Sequence, residues 1–157
     1  KFRNIRLSNI TAYTKEAIFI NGLDEMPVQE FSIQDAYFEA EAGIIIRKAK
    51  DIELKNVRIA TTRGAAIDVS ETERIDIDGL SSVQVRDSLP LIRLNEVKQA
   101  VIRNSWPQQG TTRFAEVKGA KTTQIIFHNN ILPQAAPGIQ INGDVPAKAV
   151  TISSSVN

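Results

Sequence analysis

The sequence contains no cysteine and only one histidine, His128. A disulfide framework and a thiolate metal site are therefore excluded, although the missing cysteine does not identify the compartment. No second metal ligand stands at a binding spacing from His128. The sequence predicts neither a metal site nor a cofactor.

Charges of the two signs are nearly balanced, with 19 Lys and Arg residues and 18 Asp and Glu residues. No overall field attracts nucleic acid or an acidic membrane surface, so neither is an expected partner. Long apolar runs are also missing, and none reaches the roughly 18 residues of a membrane span. With 42% hydrophobic residues, residues 1–157 suffice for a single domain with a core.

One phrase of alternating apolar and polar residues recurs along the chain and ends at an Asn-like position, as in "DIELKN" at 51–56. Its first apolar residues are spaced by 26, 21, 23, 25, 25 and 25 residues. This regularity is typical of a solenoid whose coils bury a face against their neighbours. These first residues are Ile5, Phe31, Ile52, Ile75, Ala100, Ile125 and Val150.

Each repeat holds a second alternating segment, such as "GIIIR" at 43–47. The alternation suits strands, and 21 Ile against 8 Leu disfavours a leucine-rich repeat. The sequence predicts an all-β, single-stranded right-handed parallel β-helix with about six to seven coils of 21–26 residues. Residues expected to point inward are Ile18, Ile20, Ile44, Ile46, Ile67, Val69, Ile92, Leu94, Ala115, Val117, Ile139 and Ile141.

The Asn-like positions predict a structural ladder at one corner of the coil. Short polar side chains bond turn backbone, tolerate left-handed conformations and bond one another when stacked. A structural role is favoured over a catalytic one. The predicted ladder contains Asn9, Asp35, Asn56, Asn104 and Asn129, with Gly79 and Ser154 in the same column.

Two motifs within residues 17–59 carry a resemblance to a known family. The loop "GLDEMP" at 22–27 is similar to a "GLPEMP"-like loop, with Asp24 in place of Pro. The strand "GIIIRKAKDI" at 43–52 fits a "G-I/L-x-x-x-x-A-K-x-I" pattern. The chain thus resembles the part that follows the catalytic coils in bacterial pectin-degrading hydrolases of the polygalacturonase type, glycoside hydrolase family 28. The resemblance covers residues 2 to about 95, and continues beyond them only through the repeat.

The resemblance implies a periplasmic or extracellular enzyme that hydrolyses polygalacturonan or rhamnogalacturonan with inversion. Its partner would be an acidic plant cell-wall polysaccharide. The family's "N-T-D", "G-D-D", "G-H-G" and "R-I-K" motifs do not occur here: Phe127 and Asn129 flank His128, and Arg47 adjoins Lys48. We therefore expect no catalytic residue in this chain. We expect it to be the C-terminal part of a longer β-helix whose catalytic coils precede residue 1.

In the family, the strand that corresponds to "GIIIR" of this chain lies on the face that carries the cleft. Continuing that face through the repeat makes Arg47, Arg93 and Lys118 candidates for binding galacturonate carboxylates, which a guanidinium fork can hold with two hydrogen bonds. The residues themselves allow another interpretation. Asp68, Arg93 and Glu116 alternate in sign on neighbouring coils, so they would neutralise one another.

Asp76 and Asp78 are a possible acid pair, because positions i and i+2 of a strand lie roughly 7 Å apart. Inverting glycosidases separate their carboxyl groups by about 6.5–9.5 Å. However, stacking would place Lys55 and Arg103 on either side of Asp78. Flanking cations lower a carboxyl pKa, whereas a general acid needs a raised one. We expect a charge ladder here.

Two other functional classes remain open, because a fold does not fix a function. The chain would suit a non-enzymatic carbohydrate-binding or structural β-helix, such as an adhesin or fibre segment. It would also suit another β-helical polysaccharide enzyme, such as a lyase. In each case we expect the exposed N-terminal coil to offer unpaired backbone groups and to promote self-association.

Overall fold

The computed structural model describes residues 2–84, 88–133 and 138–153. All strand pairings are parallel and join segments one coil apart, which confirms a parallel β-helix of about six coils. Among the described residues there is no helix long and apolar enough to cross a membrane. The strands are β1 (Arg3–Asn21), β2 (Val28–Arg47), β3 (Ala49–Ser70), β4 (Glu73–Asp78), β5 (Ser81–Ser82), β6 (Ile92–Asn95), β7 (Lys98–Arg103), β8 (Ala115–Lys118), β9 (Thr123–His128), β10 (Ile139–Ile141) and β11 (Val150–Ser153).

The coils form three faces. The first sheet joins parts of β1, β2 and β3 to β4, β7, β9 and β11. The second sheet joins residues 10–14, 36–40 and 57–61, followed by β5. The third sheet joins the ends of β1, β2 and β3 to β6, β8 and β10. The three long strands therefore bend around the coil and contribute to every face.

The predicted register is the observed one. Ile18 pairs with Ile44, Ile44 with Ile67, and Ile67 with Ile92, so these side chains form one interior row. Most of the residues expected to point inward are buried, and Ile44, Ile67 and Ile92 have no exposed surface. Ile141 is an exception at 46% exposed, although it pairs with Val117 as expected. Among the described residues, β10 pairs with β8 and with no strand on its other side, which leaves Ile141 less covered.

The corners are built by residues with positive φ. The predicted Asn-like column has φ between 51° and 72° at each position from 9 to 129, and Ser154 lies outside the described residues. Two further columns were not predicted, because Glu, Gln, Arg and Lys carry no sequence signal for the left-handed region. One contains Asn4, Glu30, Asp51, Arg74, Gln99 and Gln124, and the other contains Lys48, Glu71, Glu96 and Gly119.

Side-chain amides link successive corners of the Asn-like column. Asn56 Nδ2 donates to Asp35 Oδ1 at 2.6 Å, and Asn129 Nδ2 donates to Asn104 Oδ1 at 2.7 Å. Between them stands Gly79, which has no side chain to accept a bond. Asn104 Nδ2 instead donates to Asp78 Oδ1 at 2.9 Å. The column therefore supports the turns by hydrogen bonds as well as by tolerating positive φ.

Two glycines allow close backbone contacts between coils. A Cβ atom on Gly22 would lie 2.1 Å from the Lys48 carbonyl oxygen, and one on Gly43 would lie 2.0 Å from that of Ala66. The register between β2 and β3 shifts at Gly43, between Ala42 and Ile44. The first contact fixes the loop at 22–27 against the next coil, where Lys48 Nζ also pairs with Asp24 Oδ1 at 3.0 Å.

Candidate functional site

The three predicted substrate-binding residues lie together on the outer side of the third sheet. Arg47 ends β2 and Lys118 ends β8, and Arg93 lies on β6 between them. They line one depression of about 530 Å³, which we call the third-sheet depression. Its other lining residues are Asp68, Ser70, Glu71 and Asn95.

Two of the three candidate cations, Arg93 and Lys118, are held in ion pairs. Arg93 Nε lies 3.0 Å from Glu116 Oε2, and Arg93 Nη1 lies 3.3 Å from Asp68 Oδ2. Lys118 Nζ lies 3.1 Å from the other oxygen of Glu116, Oε1. The alternation in sign along this column therefore results in direct pairing.

Glu116 is the centre of this network and was expected only as one member of a surface column. It is 7% exposed. Burial opposes its ionisation, but hydrogen bonds and charges from Arg93 and Lys118 outweigh burial and lower its pKa. The repeat could have indicated this centre, because it places Lys118 two residues along the strand and Arg93 on the adjacent coil.

Arg47 differs from the other two candidates. Its side chain is exposed, and within the described part of the chain it forms no ion pair or side-chain hydrogen bond. Only its backbone is engaged, where its carbonyl accepts a hydrogen bond from Gly22 N at 3.0 Å. Its neighbours on the adjacent coils are Asn21 and Ser70, which carry no charge. Arg47 is therefore the candidate whose guanidinium is available to a ligand.

The Asp76 and Asp78 pair on the first sheet is held by one arginine. Arg103 Nη2 lies 2.9 Å from Asp76 Oδ2, and Arg103 Nε lies 3.0 Å from Asp78 Oδ2. The pKa of Asp78 is lowered by the hydrogen bond from Asn104. The hydrogen bond and the charge of Arg103 lower it further. An acid with a lowered pKa is a poor proton donor near neutral pH, so the pair has the features of the expected charge ladder.

The other candidate ligands do not converge. His128 Nδ1 lies 3.2 Å from Ser153 Oγ on the next coil. Within residues 2–84, 88–133 and 138–153, no three His, Asp or Glu side chains are grouped so that they could hold a metal ion. The third-sheet depression therefore offers hydrogen bonds and charge, and Arg47 is an exposed cation of its lining that forms no ion pair in the described part of the chain.

Stability should decrease with acidification because of the carboxylate network. The pKa values of Glu116, Asp78 and Asp51 are all lowered in the folded chain, that of Asp51 by its hydrogen bonds to Arg74. A folded pKa below the unfolded value adds stability above the ordinary carboxyl pKa of about 4, and this is lost as pH falls through the folded pKa. Urea unfolding measured between pH 7 and pH 2 should show a decline below about pH 4.

The Glu116→Gln variant should be less stable than the parent chain at pH 7, and its stability should decrease less with acidification. Glu53→Gln is the matched control, because Glu53 is exposed on the first sheet and makes no ion pair within the described residues. Parallel pH profiles for Glu116→Gln and the parent chain would contradict an ionised Glu116.

No protein-family model, curated protein or solved structure matches this chain. The similarity to glycoside hydrolase family 28 therefore rests on the residues of the loop at 22–27 and the strand at 43–52, and it stays a prediction.

Proposed function

We propose that this chain is the C-terminal β-helical part of a pectin-degrading glycoside hydrolase and binds acidic polysaccharide at the third-sheet depression. The observation that supports this function best is the exposed guanidinium of Arg47, which has no charged side-chain partner in the described part of the chain. A planar guanidinium suits a uronate carboxylate, because it can donate two parallel hydrogen bonds.

The surroundings of Arg47 suit a sugar ring that carries the carboxylate. Ser70 and Asn95 line the same depression and can bond the ring hydroxyls. Arg93 and Lys118 are oriented by Glu116, so they hold the shape of the depression and contribute less charge to the ligand. With three cations balanced by Asp68, Glu71 and Glu116, we expect binding to be weak and sensitive to salt.

Catalysis is assigned to carboxylates outside this chain. The whole enzyme would hydrolyse galacturonate linkages by single displacement, in the periplasm or outside the cell. A second candidate function is a non-enzymatic carbohydrate-binding β-helix. It is favoured by the ion pairs of Asp76, Asp78 and Glu116, which leave none of these three carboxylates unpaired.

Arg47→Ala should weaken the binding of hexagalacturonate by about fivefold, the upper range for an exposed ion pair. Isothermal titration at low salt provides the measurement. Arg6→Ala is the matched control, because it removes the same charge from an exposed position on the first sheet. Equal losses in the two variants, or no binding by the parent chain, would overturn the role of the third-sheet depression.

The assignment of catalysis predicts that this chain alone releases no reducing ends from polygalacturonate. A longer version that includes upstream coils with the "N-T-D" and "G-D-D" motifs should release them. Comparable turnover by the two proteins would contradict the assignment. Activity in neither protein, with binding by both, would support the non-enzymatic alternative.

We also propose that the chain self-associates through its N-terminal coil. Within the described residues β1 pairs with β2 alone, so the backbone groups on its other edge have no strand partner there, and Ile5, Leu7 and Ile10 are only partly buried. Sedimentation velocity should show a larger species as concentration rises, and amides at 4–10 should exchange rapidly in the dilute protein. Monomers at every concentration, with slow exchange at 4–10, would rule this out.

A further inference from the structure

Two tyrosines form an aromatic pair on the outer side of the second sheet, away from the third-sheet depression. Tyr13 is 72% exposed. Its ring centroid lies 6.2 Å from that of Tyr37, with 64° between the ring planes. The two rings meet diagonally across neighbouring coils, because the register partner of Tyr13 is Glu39 and that of Tyr37 is Thr11. Tyr13 contributes little to the core, so its ring is available for contact with a ligand.

Polar side chains beside Tyr37 line a depression of about 390 Å³, and Tyr13 lies just outside this lining. Asn56 Nδ2 donates to Asp35 Oδ1 at 2.6 Å, which fixes both groups beside Tyr37. Arg58 lies on the coil next to Tyr37, is exposed, and makes no ion pair or side-chain hydrogen bond within the residues that the structure describes. We call Tyr13, Tyr37, Asp35, Asn56 and Arg58 the tyrosine face.

Tyr37 keeps its proton and remains a hydrogen-bond donor. Burial and the neighbouring Glu39 raise the pKa of its hydroxyl. Its hydroxyl oxygen lies 3.4 Å from Glu39 Oε2, which is long for such a bond. A ligand hydroxyl can therefore replace or share this contact at little cost.

We propose that the tyrosine face binds a neutral glycan built of pyranose rings. Exposed aromatic rings stack on the apolar C–H faces of sugars, and planar amide, carboxylate and guanidinium groups bond neighbouring hydroxyls. The proposal does not depend on the function proposed for Arg47.

Charge distinguishes the ligand of this face from that of the third-sheet depression. One guanidinium, Arg58, stands beside two carboxylates, Asp35 and Glu39. A uronate chain would therefore meet a net negative face, whereas a neutral hexose would meet only hydrogen-bonding groups. The carboxylates suit hydroxyl donors, and the guanidinium suits hydroxyl acceptors.

The test is a titration of the isotope-labelled chain with cellohexaose, mannohexaose and galactohexaose, followed by amide chemical shifts. At least one of these sugars should shift the amides of Tyr13, Tyr37 and Arg58. Tyr13→Ala should weaken that binding by roughly fivefold, because the stacking surface is lost. Tyr13→Phe should retain it within about twofold, since the ring face is preserved.

Phe19→Ala is the matched control, because it removes an exposed aromatic ring from the third sheet. It should leave binding of the neutral sugar unchanged. The proposal is overturned if none of the three sugars shifts these amides, if hexagalacturonate shifts them instead, or if the shifts depend on protein concentration and so report contact between copies. Loss of binding at Arg47 leaves this test unaffected.

Discussion

The fold depends on backbone pairing that joins each coil to its neighbours at constant register. One row of isoleucines shows the constraint, because Ile18, Ile44, Ile67 and Ile92 can share an interior only if each coil returns the chain to the same point. A displacement of one residue would turn every interior side chain outward. Residues with positive φ at the corners turn the chain back to this point, and hydrogen bonds such as the one that Asn56 donates to Asp35 support those corners.

The same register decides which charges are paired. A charged side chain on an outer face meets the two residues directly above and below it, at about the 4.8 Å spacing of paired strands. Arg93 has Asp68 and Glu116 in those positions, so it is held. Arg47 lies between Asn21 and Ser70, and Arg58 lies between Tyr37 and Ser81, so neither finds a carboxylate in its column. The free guanidinium groups of Arg47 and Arg58 are thus a consequence of uncharged neighbours in their columns.

The spacing of the repeat was sufficient to predict the register between coils, but not the contacts between side chains. The recurring alternation placed the interior row and the columns of Arg47 and Arg93, because it aligns equivalent residues in coils whose lengths differ. Glu30 and Arg74 at the corners could not be foreseen, since their side chains do not favour positive φ. The contact between Tyr13 and Tyr37 was also missed. It is diagonal, and column counting compares only residues that face each other directly.

The pKa shifts of three carboxyl groups in this chain oppose a role as general acid. Inverting hydrolysis needs a carboxyl group that keeps its proton near neutral pH, which requires a pKa raised by burial or by a neighbouring carboxylate. Asp51, Asp78 and Glu116 shift in the opposite direction, because the register that buries Glu116 also supplies Arg93 and Lys118 beside it. Stacked columns of alternating charge thus stabilise carboxylates as anions. A β-helix that is to protonate a leaving group must interrupt such a column, and Asp78 and Glu116 lie where the columns are intact.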